Sequence, residues 1–308
     1  MNTPFISIVL PTYNGSRYIG QSIESCLAQS FHNFELIIVN DCSTDNTLEI
    51  INEFAKADAR VVVINNTFNK KLPLSLNTGF EVARGDYYTW TSDDNFYSKD
   101  ALATMINVCE HDNTIDLVYA DYTLIDENGK ITGSRTFGDI NKSFSKWLGC
   151  GACFLYKKSV HQQNNGYRPE AFLIEDYDFF VRAFAQNKFY YLPNTDLYFY
   201  REHSASLTST QNTFINDVSK MFLEKNLMAL ERKLPKYEAG LLYRKFAVYY
   251  AVQKNNIEKY KTYLAKLNGV SKTEMYKTVF YVLLQKTKDA FVVSISGILK
   301  AIELLFKK

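Results

Sequence analysis

The sequence predicts an α/β fold: a mostly parallel sheet flanked by helices over residues 1–211, followed by a C-terminal all-helical region over residues 212–308. Three observations lead there. Apolar runs of strand length alternate with amphipathic segments of helical period through residues 5–91, which argues for parallel strands with helices on both faces. The apolar runs end in polar loops, the place where open α/β sheets carry ligand chemistry. From Asn212 to Lys308 the chain is rich in Lys, Tyr and Leu, helical in period and poor in breakers.

Taken in order, Phe5 to Leu10 is an apolar run ended by Pro11, and Tyr18, Ile19, Ser22, Ile23, Cys26 and Leu27 fall on one face of a helix over Arg17–Ala28. The unit recurs with a strand at Phe34–Asn40 and a helix lined by Leu48, Ile51, Phe54 and Ala55. It recurs again with a strand at Arg60–Asn65 and a helix lined by Leu76, Gly79, Phe80 and Ala83. Tyr87 to Thr91, β-branched or aromatic and preceded by a Gly-Asp turn, form a buried strand that runs straight into Asp93 and Asp94. Beyond this point the sheet becomes mixed. A helix at Ala101–Val108, a strand at Leu117–Tyr122 and a hairpin-like turn at Asp126–Gly129 lead to a Gly/Cys-rich segment, Leu148–Cys153. Acids then open a helix at Ile174–Arg182, and strands follow at Phe189–Leu192 and Leu197–Tyr200.

Composition narrows the function classes. Lys plus Arg number 35 against 33 Asp plus Glu, a balance that gives no argument for nucleic acid as a partner. The N-terminus lacks a basic region, apolar core and small-residue cleavage site, and the five cysteines are an odd number. Free thiols in a reducing, cytoplasmic compartment are the expectation. The uncharged run Ala290–Leu299 is ten residues long, short of the roughly 20 that a spanning helix needs. Flanked by Lys286, Lys288, Lys300, Lys307 and Lys308, it either lies on an anionic membrane surface or packs on neighbouring helices or a second subunit.

Asp93 and Asp94 are adjacent in a pleated stretch, so their side chains diverge and two roles are expected at one strand end. Two anions where a sheet opens to solvent suit a divalent cation, a sugar hydroxyl or both. The competing reading is a turn and helix cap. Glu175, Asp176 and Asp178 open a helix, where acids also serve simple charge complementarity. The helix start would lower the pKa of Asp176 and its acidic neighbours would raise it, so sequence leaves the balance open. Cys150-Gly151-Ala152-Cys153 has no second Cys pair, and small-residue packing outweighs zinc or redox work there.

Ser7-Ile8-Val9-Leu10-Pro11-Thr12-Tyr13-Asn14, then Phe34 through Asp45, then Thr91-Ser92-Asp93-Asp94-Asn95 resemble the successive motifs of family 2 glycosyltransferases with the GT-A fold. The resemblance covers about the first 210 residues, the size of one large α/β domain. It implies that Pro11, Thr12, Tyr13 and Asp41 hold the base of a nucleotide-diphosphate sugar, a UDP-sugar in many members. It implies that Asp93 approaches the ribose, that Asp94 binds Mn²⁺ or Mg²⁺, and that Asp176 is the general base of an inverting transfer to a glycan or lipid-linked acceptor. His203 would either complete the metal site or be a surface-loop residue. Bacterial surface polysaccharide assembly is the implied setting.

Two departures stand out. Thr91 occupies the place of a first acid common in the family, and Lys71 replaces a glycine at the entry to the third helix. Lys71 faces the nucleotide or is simply solvated. The Gln-x-x-Arg-Trp signature of processive synthases is absent, which favours single addition. Rival readings are a sugar-nucleotide pyrophosphorylase, which would want a Gly-rich basic loop after the first strand, and a nucleotide-sugar-binding scaffold acting through its helical tail. Homo-oligomerisation through the C-terminal helices is a further expectation.

Overall fold

A computed structural model describes residues 4–147, 149, 151–194, 196–203 and 212–286. The membrane-or-packing segment Ala290–Leu299 and the Lys288–Lys308 cluster around it lie outside the described residues. Among the described residues, no helix is long and apolar enough to cross a membrane.

The first three repeats form as expected. Strand β1 (Ile6–Thr12) is followed by α1 (Ile19–Leu27), β2 (Phe34–Asn40) by α2 (Thr47–Ala57), and β3 (Val61–Asn65) by α3 (Leu72–Val82). Every residue of β1 and β2 is buried, as central strands covered on both faces must be. Glu35, the one acid inside β2, accepts hydrogen bonds from Ser7 Oγ at 2.7 Å and from Arg84, whose Nη2 lies at 2.7 Å. Its charge is thereby compensated within the sheet.

Strand β4 (Tyr87–Trp90) ends one residue earlier than the sequence suggests. After it come β5 (Phe96–Tyr97), α4 (Ala101–His111), β6 (Leu117–Ala120), β7 (Tyr122–Ile125) and β8 (Ile131–Arg135). Next are β9 (Phe154–Lys157), α5 (Lys158–Asn164), α6 (Glu175–Phe184), β10 (Phe189–Leu192) and β11 (Tyr198–Arg201). The main sheet has seven strands in the order β10-β6-β9-β4-β1-β2-β3, and only β9 runs against the rest. A second sheet has the order β5-β11-β7-β8.

The expected single strand Leu117–Tyr122 is two strands in different sheets. The chain crosses between them at Asp121, which is buried and accepts from the Phe137 amide at 2.9 Å and the Tyr191 hydroxyl at 2.5 Å. β5, β8, β9 and α5 have no counterpart in the sequence reading. The expected turn at Asp126–Gly129 does join an antiparallel pair, β7 and β8.

The chain divides into two compact units, Met1–Leu227 and Met228–Lys308, which leaves residues 212–227 with the first. The reason is α7 (Asn212–Lys225), whose Phe222, Ile215 and Val218 pack on Ala171, Ile174 and Tyr177 beside α6. The described residues of the second unit form helices: α8 (Leu227–Lys233) at the junction, α9 (Lys236–Val248) running into a π-helical turn over Tyr249–Gln253, then α10 (Ile257–Val270) and α11 (Lys272–Lys286).

Candidate active site

The carboxyl ends of β1, β2 and β4 share one sheet edge. Because β9 is antiparallel to β4, the loop leading into β9 opens onto the same edge. Topology alone thus brings Thr12, Asp41, Asp93, Asp94 and Gly151 to one rim.

Thr12, the last residue of β1, donates from Oγ1 to Asp93 Oδ2 at 2.5 Å. This contact leaves no room for a side chain at residue 15: a Cβ on Gly15 would stand 2.1 Å from Asp93 Oδ2 and 2.6 Å from Thr12 Oγ1. Gly15 is therefore a site residue that the sequence reading passed over. Burial, and next the neighbouring charge of Asp94, push the Asp93 carboxyl up to about 7. Pro11 is buried within β1, while Tyr13 is half exposed at the mouth of the loop.

Asp41 is buried and fully engaged by the chain that follows β3. Its Oδ1 accepts from Asn66 Nδ2 and the Lys70 amide, both at 2.8 Å, and its Oδ2 accepts from the Lys71 amide at 2.9 Å. It thus shapes the Asn66–Lys71 loop, and Oδ2 keeps a further lone pair for an incoming donor. Lys71 pays for this arrangement: its φ of 69° and ψ of 163° lie in a region that glycine alone adopts freely. Lys71→Gly is accordingly expected to stabilise the fold by about 1–3 kcal/mol in urea unfolding. Unchanged stability would contradict the strain.

Asp94 meets His203 because of a strand pair too short to read from sequence. β5 and β11 pair with Phe96 opposite Phe199, so the residues just before β5 face those just after β11. His203 Nε2 lies 3.0 Å from Asp94 Oδ2, while Asp94 Oδ1 is buried with no hydrogen-bond partner among the described residues. A carboxylate oxygen with no partner beside an imidazole is a donor set that suits Mn²⁺ or Mg²⁺. The described residues contain no group of three or more His, Cys, Asp or Glu able to hold an ion, so substrate phosphate and water would complete the shell. Thr91 takes no part. It is buried, with Oγ1 2.8 Å from the Tyr198 hydroxyl, and an acid there would be desolvated against a phenol.

Arg201 holds this corner together and was missed as well. Its amide donates to Asn95 Oδ1 at 2.8 Å, its Nε to the Asp94 carbonyl at 2.9 Å, its Nη1 to the Asp126 and Glu127 carbonyls and its Nη2 to Gln21 Oε1 at 2.6 Å. The guanidinium also lies 4.5 Å from the centre of the Tyr18 ring, which packs against His203. A charged residue closing the aromatic strand Tyr198-Phe199-Tyr200 was the available signal.

Asp176 sits at the start of α6, over the loop that enters β9. Its Oδ1 accepts from the Tyr177 amide at 2.7 Å, and a Cβ on Gly151 would stand 2.1 Å from its Oδ2. The small residues before β9 thus make room for a carboxylate. The open pKa balance resolves through burial, which raises Asp176. Asp178 turns inward and is neutralised by Arg182 at 2.9 Å and Arg168 at 3.4 Å. Burial and then the charge of Asp176 push Glu175 up to about 8, and its Oε2 is buried without a partner. Since Glu175 binds its proton more tightly folded than unfolded, its contribution to stability is complete below pH 4.5 and is lost as pH rises towards 8. Glu175→Gln should match the wild type near pH 4.5 and exceed it increasingly up to pH 8 in urea titrations. A pH-independent difference would refute the shift.

Comparison with known proteins accords with this geometry. The solved structure of S. aureus TarS 1–349 in complex with UDP-GlcNAc superposes with a TM-score of 0.65 at 17% identity, over 90% of this chain and 83% of that one. The mannosyltransferase PcManGT from Pyrobaculum calidifontis, in complex with GDP-Man and Mn²⁺, gives 0.56 at 14% identity over 100% and 82% of the two chains. These likenesses show a shared GT-A fold. EpsH of Bacillus subtilis (strain 168), assigned as a glycosyltransferase, is 30% identical over 259 residues, 78% of this chain and 74% of EpsH. The sequence profile described as glycosyl transferase family 2 matches residues 7–164, the span holding β1 to β9 with Thr12, Asp41, Asp93 and Asp94, and the chain is a glycosyltransferase of that family.

Proposed function

We propose that the protein transfers a single sugar, with inversion, from a nucleotide-diphosphate sugar to a hydroxyl of a glycan or lipid-linked acceptor. The observation that carries this reading is the sheet edge on which the Thr12–Asp93 pair and the orphaned oxygen of Asp94 gather, with the Asp176 carboxylate over the Gly151 loop of the same edge. Thr12, Tyr13 and Asp41 would frame the base, Asp93 the ribose, and Lys71 the base or phosphates. Asp94 and His203 would hold Mn²⁺ or Mg²⁺. Such an ion, when bound, supplies positive charge against the diphosphate as it leaves.

Asp176 removes the proton of the acceptor hydroxyl as that oxygen bonds the anomeric carbon and the bond from that carbon to the diphosphate breaks. Its raised pKa makes it a stronger base than an exposed aspartate, though one that needs higher pH to be ionised. The TarS complex with UDP-GlcNAc supports a UDP-sugar as donor, and the PcManGT complex with Mn²⁺ supports the ion. A cytoplasmic, membrane-peripheral role in bacterial surface polysaccharide assembly completes the proposal.

The test is a screen of nucleotide sugars for metal-dependent nucleotide release, with and without candidate glycan acceptors. UDP release from one UDP-sugar is expected. Formation of UTP from a UDP-sugar and pyrophosphate would assign a pyrophosphorylase instead. Tight donor binding with no turnover under any acceptor would assign a scaffold.

A further inference from the structure

The near balance of charge over the whole chain conceals two unlike parts. Met1–Leu227 holds 19 Lys and Arg against 27 Asp and Glu, a net of −8, whereas Met228–Lys308 holds 16 against 6, a net of +10. A sign asymmetry of this size between units points to an anionic surface as the partner of the basic one.

Within the basic unit, α11 has two apolar faces. Met275, Thr278, Val279 and Val282 are buried on the side that packs against α9 and α10. On the opposite side Tyr276, Phe280 and Leu284 recur every fourth residue, with Tyr281 beside them. They are 39%, 46%, 47% and 42% exposed in that order. Exposed Lys272 and Lys277 border this stripe, and Lys272 Nζ lies 5.9 Å from the Tyr276 ring centre. The acid nearest the stripe, Glu274, is matched by two cations, Arg244 at 3.1 Å and Lys277 at 2.8 Å.

The combination selects one occupant. Pairing of this unit with the same unit of a second copy would set like charges together, and a nucleic acid has no use for a Phe-Leu stripe. An anionic bilayer uses both features, since its acyl boundary accepts Phe and Leu, its headgroup region accepts Tyr, and its phosphates accept Lys. We propose that the outward face of α11, within the positively charged C-terminal unit, docks the protein on anionic lipid bilayers.

The test is co-sedimentation of the full-length chain with vesicles of phosphatidylcholine alone and of phosphatidylcholine mixed with phosphatidylglycerol. Binding to the anionic vesicles is expected, at least about tenfold tighter than to the neutral ones and weakening as salt rises. Phe280→Glu combined with Leu284→Glu should reduce that binding at least about tenfold, with melting temperature and donor turnover in solution unchanged. If the acidic variant unfolds, Phe280→Ser with Leu284→Ser serves the same purpose. Absence of anionic-vesicle binding, equal affinity for neutral vesicles, or full binding by a folded stripe variant would overturn the proposal. A wild-type dimer that the stripe variant dissociates would also overturn it, assigning the face to a second copy. Donor turnover is read separately, so failure here leaves the transferase reading standing and the reverse also holds.

Discussion

Asp176→Asn is expected to lower the transfer rate by about 100- to 10,000-fold, the range lost with a positioned general base, while donor nucleotide affinity stays near the wild-type value. The asymmetry follows from the site's layout. Asp176 is held on α6 over Gly151 in the loop entering β9, whereas Thr12 and Asp41 end β1 and β2 on the other side of β4, so in the proposed reaction its carboxylate would serve the acceptor rather than the nucleotide. Asparagine keeps the shape and can still accept from the Tyr177 amide, but it takes up no proton. Single-turnover transfer and calorimetric nucleotide binding measured together decide the matter. Lost binding would move Asp176 to the donor side, and retained transfer would remove it from the reaction.

Asp94→Asn is the second large effect. Its buried Oδ1, without a partner among the described residues, and its contact with His203 make Asp94 the group on which an ion would depend in the proposed site. Charge stabilisation of several kcal/mol at a leaving group corresponds to a rate loss on the order of 100- to 1,000-fold. Donor affinity measured with and without Mn²⁺ should differ in the wild type and coincide in the variant. Asp93→Asn should behave otherwise, weakening nucleotide affinity whether or not the ion is present. If Asp94→Asn retained the Mn²⁺-dependent gain in affinity, the ion would belong elsewhere.

Much of the first unit was legible because its central strands are continuous apolar runs and its helices are strictly amphipathic, so strand ends and polar loops could be placed by inspection. Asp41, Asp93 and Asp94 therefore stood out before any coordinates. What escaped depends on contacts distant in sequence. β9 is four residues long and follows a segment whose glycine reads as a loop, so nothing local announced an antiparallel strand. The meeting of Asp94 with His203 rests on the two-residue strand β5. The proton balance at Asp176 rests on burial, which is set only when α6 packs against the chain before it. Lys71 was recognisable as a glycine replaced, but its backbone strain was not, because strain belongs to φ and ψ rather than to residue type.

The charge split between the two units was countable from the sequence once the boundary was known, and placing the division at residue 211 would already have exposed it. The proposed docking rests on α11, whose face opposite the buried one exposes Tyr276, Phe280 and Leu284.

The central claim is that one rim gathers base, ribose, ion and acceptor chemistry. A crystal structure of the protein with UDP and Mn²⁺, its anomalous map recorded for manganese, tests this most directly. The account predicts an anomalous peak against the Asp94 carboxylate, uracil by Asp41, ribose by Asp93 and the Asp176 carboxylate facing open space beyond the diphosphate. A nucleotide seated away from Thr12 and Asp41, or manganese bound without Asp94, would contradict it.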